Sequence, residues 1–173
     1  VRAGVLHPGF DVDRVLVARV AFVGGRQGTA GRFGIEEIAE RVRSVPGVSA
    51  VSFSNGVPLT VFGGYTTGTD ARFDGIGKMP VEYNGNPVGP GYFEAMGIRL
   101  IRGRDFTEAD RRGSPPVVIV NEEFVRRYLP GVDPIGRHMS LSRTGGREIE
   151  IVGVVSNGRY RSFAESRNAA LGV

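Results

Sequence analysis

An α+β domain is the fold class this sequence predicts. Strand-length apolar stretches recur along the chain, two amphipathic helical stretches each stop at Pro-Gly-Val, and each is followed within a few residues by a further strand. Residues 14–23 (RVLVARVAFV) alternate, with Leu16, Ala18, Val20 and Phe22 on one apolar face and Arg14 and Arg19 on the other among Val15, Val17 and Ala21. That is the pattern of a half-buried strand. The Gly/Gln/Thr stretch 24–31 reads as a loop. Over 33–45 the period becomes helical: Ile35, Ile38, Ala39, Val42 and Val45 share a stripe, and Glu36, Glu37, Glu40, Arg41 and Arg43 take the wet side. Pro46-Gly47 ends this helix, and Val48–Ser54 reads as the next strand, completing a first βαβ or split-βαβ unit.

Residues 55–91 hold Asn55-Gly56, Gly63-Gly64 and Asn84-Gly85 with short apolar pieces between, and read as short strands and long loops. Tyr92–Met96 is a brief helical turn closed by Gly97, ahead of a short strand at Ile98–Ile101. In RGRDFTEAD (102–110), Thr107 and Asp110 stand at capping-box spacing, with aspartate in the place of Glu or Gln. Val117–Val120 is wholly apolar, as a strand buried on both faces must be. Asn121 is placed to cap the following helix, with Glu122 and Glu123 at its positive end and Arg126 and Arg127 towards the other. Phe124, Val125, Tyr128 and Leu129 form its buried stripe, Pro130-Gly131 ends it, and closing strands follow at about 135–142 and 147–155. The expected arrangement is ferredoxin-like: two βαβ halves at about 14–54 and 117–156 share one sheet, and 55–116 is largely an inserted, strand-rich subdomain.

Composition narrows the chemistry. The chain of 173 residues carries a net charge of +4, but its basic residues are spread from Arg2 to Arg167 among 18 acids, and all but Lys78 are arginines. Such placement is that of a solvated surface, so no nucleic-acid partner is expected. Without cysteine, disulfides, thiolate metal sites and cysteine nucleophiles are excluded. The longest apolar runs, such as Val15–Ala18 and Val117–Val120, are far short of the ~20 residues of a membrane span. The chain starts without Met or a signal-peptide core and is expected to be a segment of a longer polypeptide.

No catalytic, cofactor or metal site is expected. His7 and His138 have no carboxylate or second histidine at ligand spacing. Asp11 and Asp13 in GFDVD suit a turn, no G-x-S-x-G occurs, and Gly75-Ile76-Gly77-Lys78 lacks both the first glycine of a P-loop and the Ser/Thr after its lysine.

The order of the landmarks carries a resemblance. HPGFDVDRVLVARV is followed by RVRSVPGVSAVSFSNGVPL, then GPGYFEAMGIRLIRGRDFTEAD, then PPVVIVNEEFVRRYLPGVDPIGRHM and IEIVGVVSNGRYRSF. Over about 8–165 this series resembles the periplasmic core domain of MacB-like permeases of the MacB/FtsX family, including the duplicated permeases of acidobacteria. The resemblance implies a porter-like subdomain of βαβ units with a smaller strand-rich one, on the extracytoplasmic (periplasmic) face of the inner membrane. It also implies partners: the permease's own transmembrane helices, a cytoplasmic ATPase acting through them, and a substrate or envelope protein outside. An alternative on the same fold is an FtsX-like regulatory domain that docks or activates a cell-wall hydrolase. Where the family more often has Ser-Pro or Thr-Pro before Tyr92, this chain reads Val-Gly-Pro-Gly, and 55–85 matches little. The isolated piece is expected to be monomeric and non-catalytic, and to work by stiffness. Tyr92 and Phe93 are expected to be structural positions, and Arg102, Gly103, Arg104, Asp105 and Phe106 would form a packed corner, with Arg104 and Asp105 making hydrogen bonds that lock the approach of this turn to the sheet and Phe106 filling core volume. Asn121, Pro130, Gly131, Pro134 and Gly136 would fix the second helix and its exit.

Overall fold

The computed structural model describes residues 8–20, 29–57, 66–111, 113–141, 146–158 and 170–172. Three helices, α1 (Thr29–Arg43), α2 (Tyr92–Ala95) and α3 (Glu122–Tyr128), accompany seven strands: β1 (Thr66–Phe73), β2 (Gly77–Asn86), β3 (Leu100–Gly103), β4 (Val117–Asn121), β5 (His138–Leu141), β6 (Glu148–Val155) and β7 (Ala170–Gly172). They form one sheet in the order β3-β6-β4-β7-β2-β1-β5, and β5 also pairs with β6, so that six strands close into a ring with β3 attached outside it. The α+β class is as expected.

β4 and β6 run parallel and adjacent, joined through α3 and β5. This is the second of the two expected units. Alternate residues of β4 serve opposite cores. Val118 and Val120 join Phe73, Val81, Phe124, Leu129, Ile149 and Ile151 under α3, whereas Ile119 joins Phe10, Tyr92, Phe93, Met96 and Phe106 on the α2 side. Along β6 the alternation slips once, because Val118 pairs with Ile151 but Ile119 pairs with Gly153. This bulge moves Val154 onto the face of Ile149 and Ile151 and puts Val152 and Val155 on the other.

The first expected unit does not form among the described residues. Residues 14–20 belong to no strand, and Leu16 is fully exposed; Ala21, Phe22 and Val23 lie outside the described residues. Alternation marks a chain able to form a strand, but a strand exists only when a neighbouring strand takes its N–H and C=O groups, and among the described residues no strand pairs with 14–20. Val48–Ser54 is likewise not a strand. It meets 87–89 through the isolated bridge Ser54–Val88 and two flanking bonds, Asn55 N–H to Pro87 O (2.9 Å) and Gly89 N–H to Phe53 O (2.7 Å). The helix α1 is present and ends before Pro46-Gly47, but of its expected buried stripe Ala39 is buried while Ile38, Val42 and Val45 are 41%, 40% and 51% exposed.

A second difference lies in 66–86. In place of short strands and loops, β1 and β2 make a long antiparallel hairpin that turns at Asp74–Ile76. Met79, Val81 and Tyr83 do alternate, but Pro80 and the two asparagines disguise the pattern, and Asn84 and Asn86 are buried. Asn86 satisfies both ends of its amide on Gly56, donating to its carbonyl and accepting its N–H at 2.8 Å each. The lysine of Gly75-Ile76-Gly77-Lys78 pairs with Asp70 across the hairpin at 2.9 Å, a structural contact and not a phosphate cradle.

Gly103 and Gly153 allow β3 and β6 to approach. A Cβ on Gly103 would collide with the Val152 carbonyl oxygen and come to 2.8 Å from Ile135 Cδ1; one on Gly153 would meet the Arg104 carbonyl. Gly103 and Gly131 share a φ of 73°, yet nothing lies within 4 Å of a Cβ on Gly131. The pair separates strain from space. Gly131→Ala should cost about 1–2 kcal/mol, the left-handed backbone penalty alone. Gly103→Ala should cost about 2–5 kcal/mol, because overpacking adds about 1–3 kcal/mol. Urea unfolding midpoints of the two variants check this, and equal losses would refute the close-approach account.

Candidate functional site

Arg104 and Asp105 both make hydrogen bonds at this turn, each to a different partner. Arg104 N–H continues the β3–β6 ladder to the Val152 carbonyl (2.9 Å), and the guanidinium turns away to grip Asp110 through both nitrogens, at 2.7 and 2.9 Å. The Asp110 carboxylate also accepts the N–H and the hydroxyl of Thr107, and Thr107 Oγ1 accepts the N–H of Ala109. The capping-box spacing is therefore used, but it closes a tight turn instead of starting a helix. Arg104's hydrogen bonds hold Asp110 well below its ordinary 3.8, at about 2. Asp105 is not the partner of the Arg104 side chain, which reaches only its backbone carbonyl (3.1 Å). The Asp105 carboxylate folds back to accept Phe106 N–H at 2.6 Å, and burial raises its pKa.

Below this turn Phe106 is buried against Phe93, with ring centroids 6.2 Å apart, and Phe93 meets Tyr92 edge-on at 5.5 Å. Burial pushes the Tyr92 phenol up to about 12, which the nearby Asn86 offsets only in part. Asn86 gives its amide to Gly56, and the Tyr92 hydroxyl makes no hydrogen bond among the described residues. Gly97 (φ 65°) closes α2, and Asp11 N–H donates to Met96 O at 2.8 Å, which brings Phe10 into the same core. Asp11 itself accepts the N–H groups of Asp13 and Arg14 and pairs with the Arg14 guanidinium (2.7 Å), the turn role expected of GFDVD.

The exit of α3 reaches the same corner. Pro134 is buried, Gly136 N–H donates to Ile151 O (2.9 Å), and Ile151 N–H donates to Arg137 O (2.8 Å), so residues 134–137 lie along β6. From this loop Asp133 pairs with Arg102 of β3 at 2.9 Å, and Ile135 comes against Gly103. Pro130 and Gly131 turn the chain at the surface, and nothing lies within 4 Å of a Cβ on Gly131. Asn121 caps α3 as expected, its side chain accepting Phe124 N–H at 3.0 Å. Beyond it, Glu123 is buried and bonded to both Arg126 and Arg127; the Arg126 hydrogen bonds do most to hold its carboxyl at about 2. Asp133, Ile135 and Gly153 were not singled out in the sequence, and Asp110 was read there as the cap partner of Thr107, not as the partner of Arg104. Only Asp110 carried a signal, six residues after Arg104 in the same acidic turn.

Among the described residues no group of three or more His, Cys, Asp or Glu could hold a metal ion, and no helix is long and apolar enough to cross a membrane. His138 sits on β5 opposite Glu150, and His7 lies outside the described residues. The arrangement is a joint between two cores whose charged groups Arg102, Arg104, Asp110 and Asp133 are paired.

The model of the MacB-like periplasmic core domain matches residues 4–171. The chain belongs to this family. Among solved structures, the periplasmic region of MacB from Actinobacillus actinomycetemcomitans is similar at 21% identity and a TM-score of 0.50, over 79% of this chain and 62% of that one. The extracellular domain of the noncanonic ABC-type transporter YknZ from Gram-positive bacteria (19%, TM-score 0.48, 79% and 61%) and a domain of a putative permease protein from Porphyromonas gingivalis (16%, 0.48, 77% and 54%) are similar as well. This chain therefore spans about three fifths or less of those structures. A search of curated proteins gave no match. Within this periplasmic core domain, α2, β3 and the Arg104 turn form one joint with β6.

Two outcomes follow from the joint's chemistry. Asp110 and Glu123 have folded pKa values below their ordinary 3.8 and 4.5, so their contribution to stability is present above pH ~4.5 and is lost as pH falls towards 2. Asp105, whose pKa is raised, works in the opposite sense over its own titration. Acid unfolding followed by circular dichroism should therefore steepen below pH ~4.5, and Asp110→Asn should be less stable at pH 7 with a shallower loss in that window. Tyr92→Phe should fall within about 0.5 kcal/mol of the parent or be more stable, because it removes a buried hydroxyl that makes no hydrogen bond among the described residues. A thermal melt showing a loss of more than 1 kcal/mol would mean that the hydroxyl is paired.

Proposed function

We propose that this chain is the extracytoplasmic domain of an ABC-type export permease, and that it transmits movement of membrane helices to a substrate or partner outside without catalysing a reaction. The observation that carries the reading is the joint at Gly103–Asp110. A domain that passes on displacement must not deform at its corners, and this corner is held three times over. The backbones of β3 and β6 touch at two glycines, a bidentate ion pair closes the following turn, and the α3 exit loop is tied to β3 through Asp133. Motion then belongs at the ends of the domain rather than within it. Family membership supports the same reading, since a periplasmic core domain of a MacB-like permease stands where such transmission is needed. The energy source in this reading is a cytoplasmic ATPase acting through the permease's own transmembrane helices.

Replacing Arg104 and Asp110 by Ala together in the parent permease, reconstituted with its ATPase in vesicles, tests the coupling. ATP hydrolysis should stay within about twofold of the parent while net transport falls several-fold. Equal falls in both, or unchanged transport, would refute transmission through this corner. Deletion of the domain that leaves transport intact and disturbs cell-wall hydrolysis would instead establish the regulatory alternative.

A further inference from the structure

On the outer side of the Arg104 turn lies a cavity of about 160 Å³. Phe106, Val88 and Val117 line it, Pro115 and Pro116 form a wall, and Asp110 and Arg111 stand beside them. Its size is close to that of a ~150 Å³ apolar cavity that takes up a benzene ring, so it accommodates one leucine-, phenylalanine- or proline-sized group. The lining is stiff. Two consecutive prolines fix φ on one side, Phe106 is packed into the core on the other, and Pro116 O accepts Glu150 N–H at 3.1 Å, which anchors the wall to β6.

The charge at the cavity is lopsided. Asp110 is consumed by Arg104 and Thr107. Arg111 is exposed and makes no ion pair among the described residues; its backbone carbonyl accepts Ser114 N–H (2.9 Å) and holds the turn that presents it. Among the described residues, the Arg111 guanidinium beside this apolar cavity is uncommitted, a group suited to bidentate recognition of a carboxylate.

We propose that this cavity is a docking site for a partner polypeptide, receiving one apolar side chain while Arg111 binds an adjacent aspartate or glutamate. A preformed pocket that takes a single anchor, with a rim charge to set register, is the usual economy of a small protein–protein contact. The inference does not depend on the transmission reading, because a docking site would serve a transporter and a regulator equally. Its test reads binding alone.

Amide chemical shifts of the ¹⁵N-labelled chain can be followed during titration with acetyl-Gly-Phe-Asp-Gly-amide and with its Asn twin. The expected result is saturable shifts at Phe106, Arg111 and Val117, with the acidic peptide bound about two- to fivefold more tightly, the range of an exposed ion pair. Arg111→Ala should abolish that preference and leave the rest of the spectrum in place, and Arg111→Glu should reverse it towards a Lys twin. Shifts absent from the cavity, or equal for the Asp and Asn peptides, would overturn the proposal. So would saturable binding of octanoate without binding of either peptide, which would make the cavity an amphiphile site.

Discussion

Strands β4 and β6 lie parallel and side by side, and β4 and the Ile151–Val155 part of β6 are buried on both faces, so they need a core above and a core below. That requirement organises most of the domain. α3 and the β1–β2 hairpin cover one face, with Phe124 against Phe73 and the Tyr128 hydroxyl bonded to the backbone N–H and carbonyl of Glu82. α2, Phe10 and the Arg104 turn cover the other. The bulge at Val152–Gly153 lets one strand supply both cores in the right order, and it requires a residue with no side chain where β3 passes. Close approach of β3 is therefore a consequence of how β6 is shared.

Legibility followed which forces act locally. α3 could be read residue by residue because its cap, its acidic first turn, its apolar stripe and its Pro-Gly stop are all contained in the stretch from Asn121 to Gly131, and each was found as expected. β4 was legible because four apolar residues in a row have few alternatives to double burial. The segment 14–20 was misleading for the opposite reason: its alternation is local, but membership in a sheet is decided by a partner far away in sequence, and no strand among the described residues pairs with it. The β1–β2 hairpin was obscured because Asn84 and Asn86 look like turn residues, whereas Asn86 spends its amide inside the fold on Gly56.

The joint was half legible. Gly103, Arg104 and Phe106 stood out, but the partner of Arg104 did not. Asp105 is next to it in sequence, yet side chains of neighbouring residues in extended chain point to opposite sides, so Arg104 could not share a face with it. Six residues on, after the chain has turned, Asp110 comes back onto the side that Arg104 occupies. Glu123 shows the simpler case, where helical spacing alone delivers Arg126 and Arg127 to one buried carboxylate.

The glycine crossing and the ion pair contribute different kinds of rigidity. The Arg104 side chain is 47% exposed, and an ion pair with one solvated partner contributes about 1 kcal/mol or less, screened further by salt. Small as that is, the pair sets where the turn sits, so removing it frees the turn from the crossing. Backbone contact at Gly103 and Gly153 resists by exclusion, which neither salt nor pH relaxes, and sets how closely β3 rides on β6. The role left to Arg104 and Asp110 is to fix the turn that continues from this crossing, and with it the wall of the adjacent cavity. A ligand there could influence the joint only to the extent that it distinguishes two positions of that turn. With Asp110 bonded at four points, a second position would first have to break them, so the cavity is better suited to holding a partner on a rigid corner than to moving the corner.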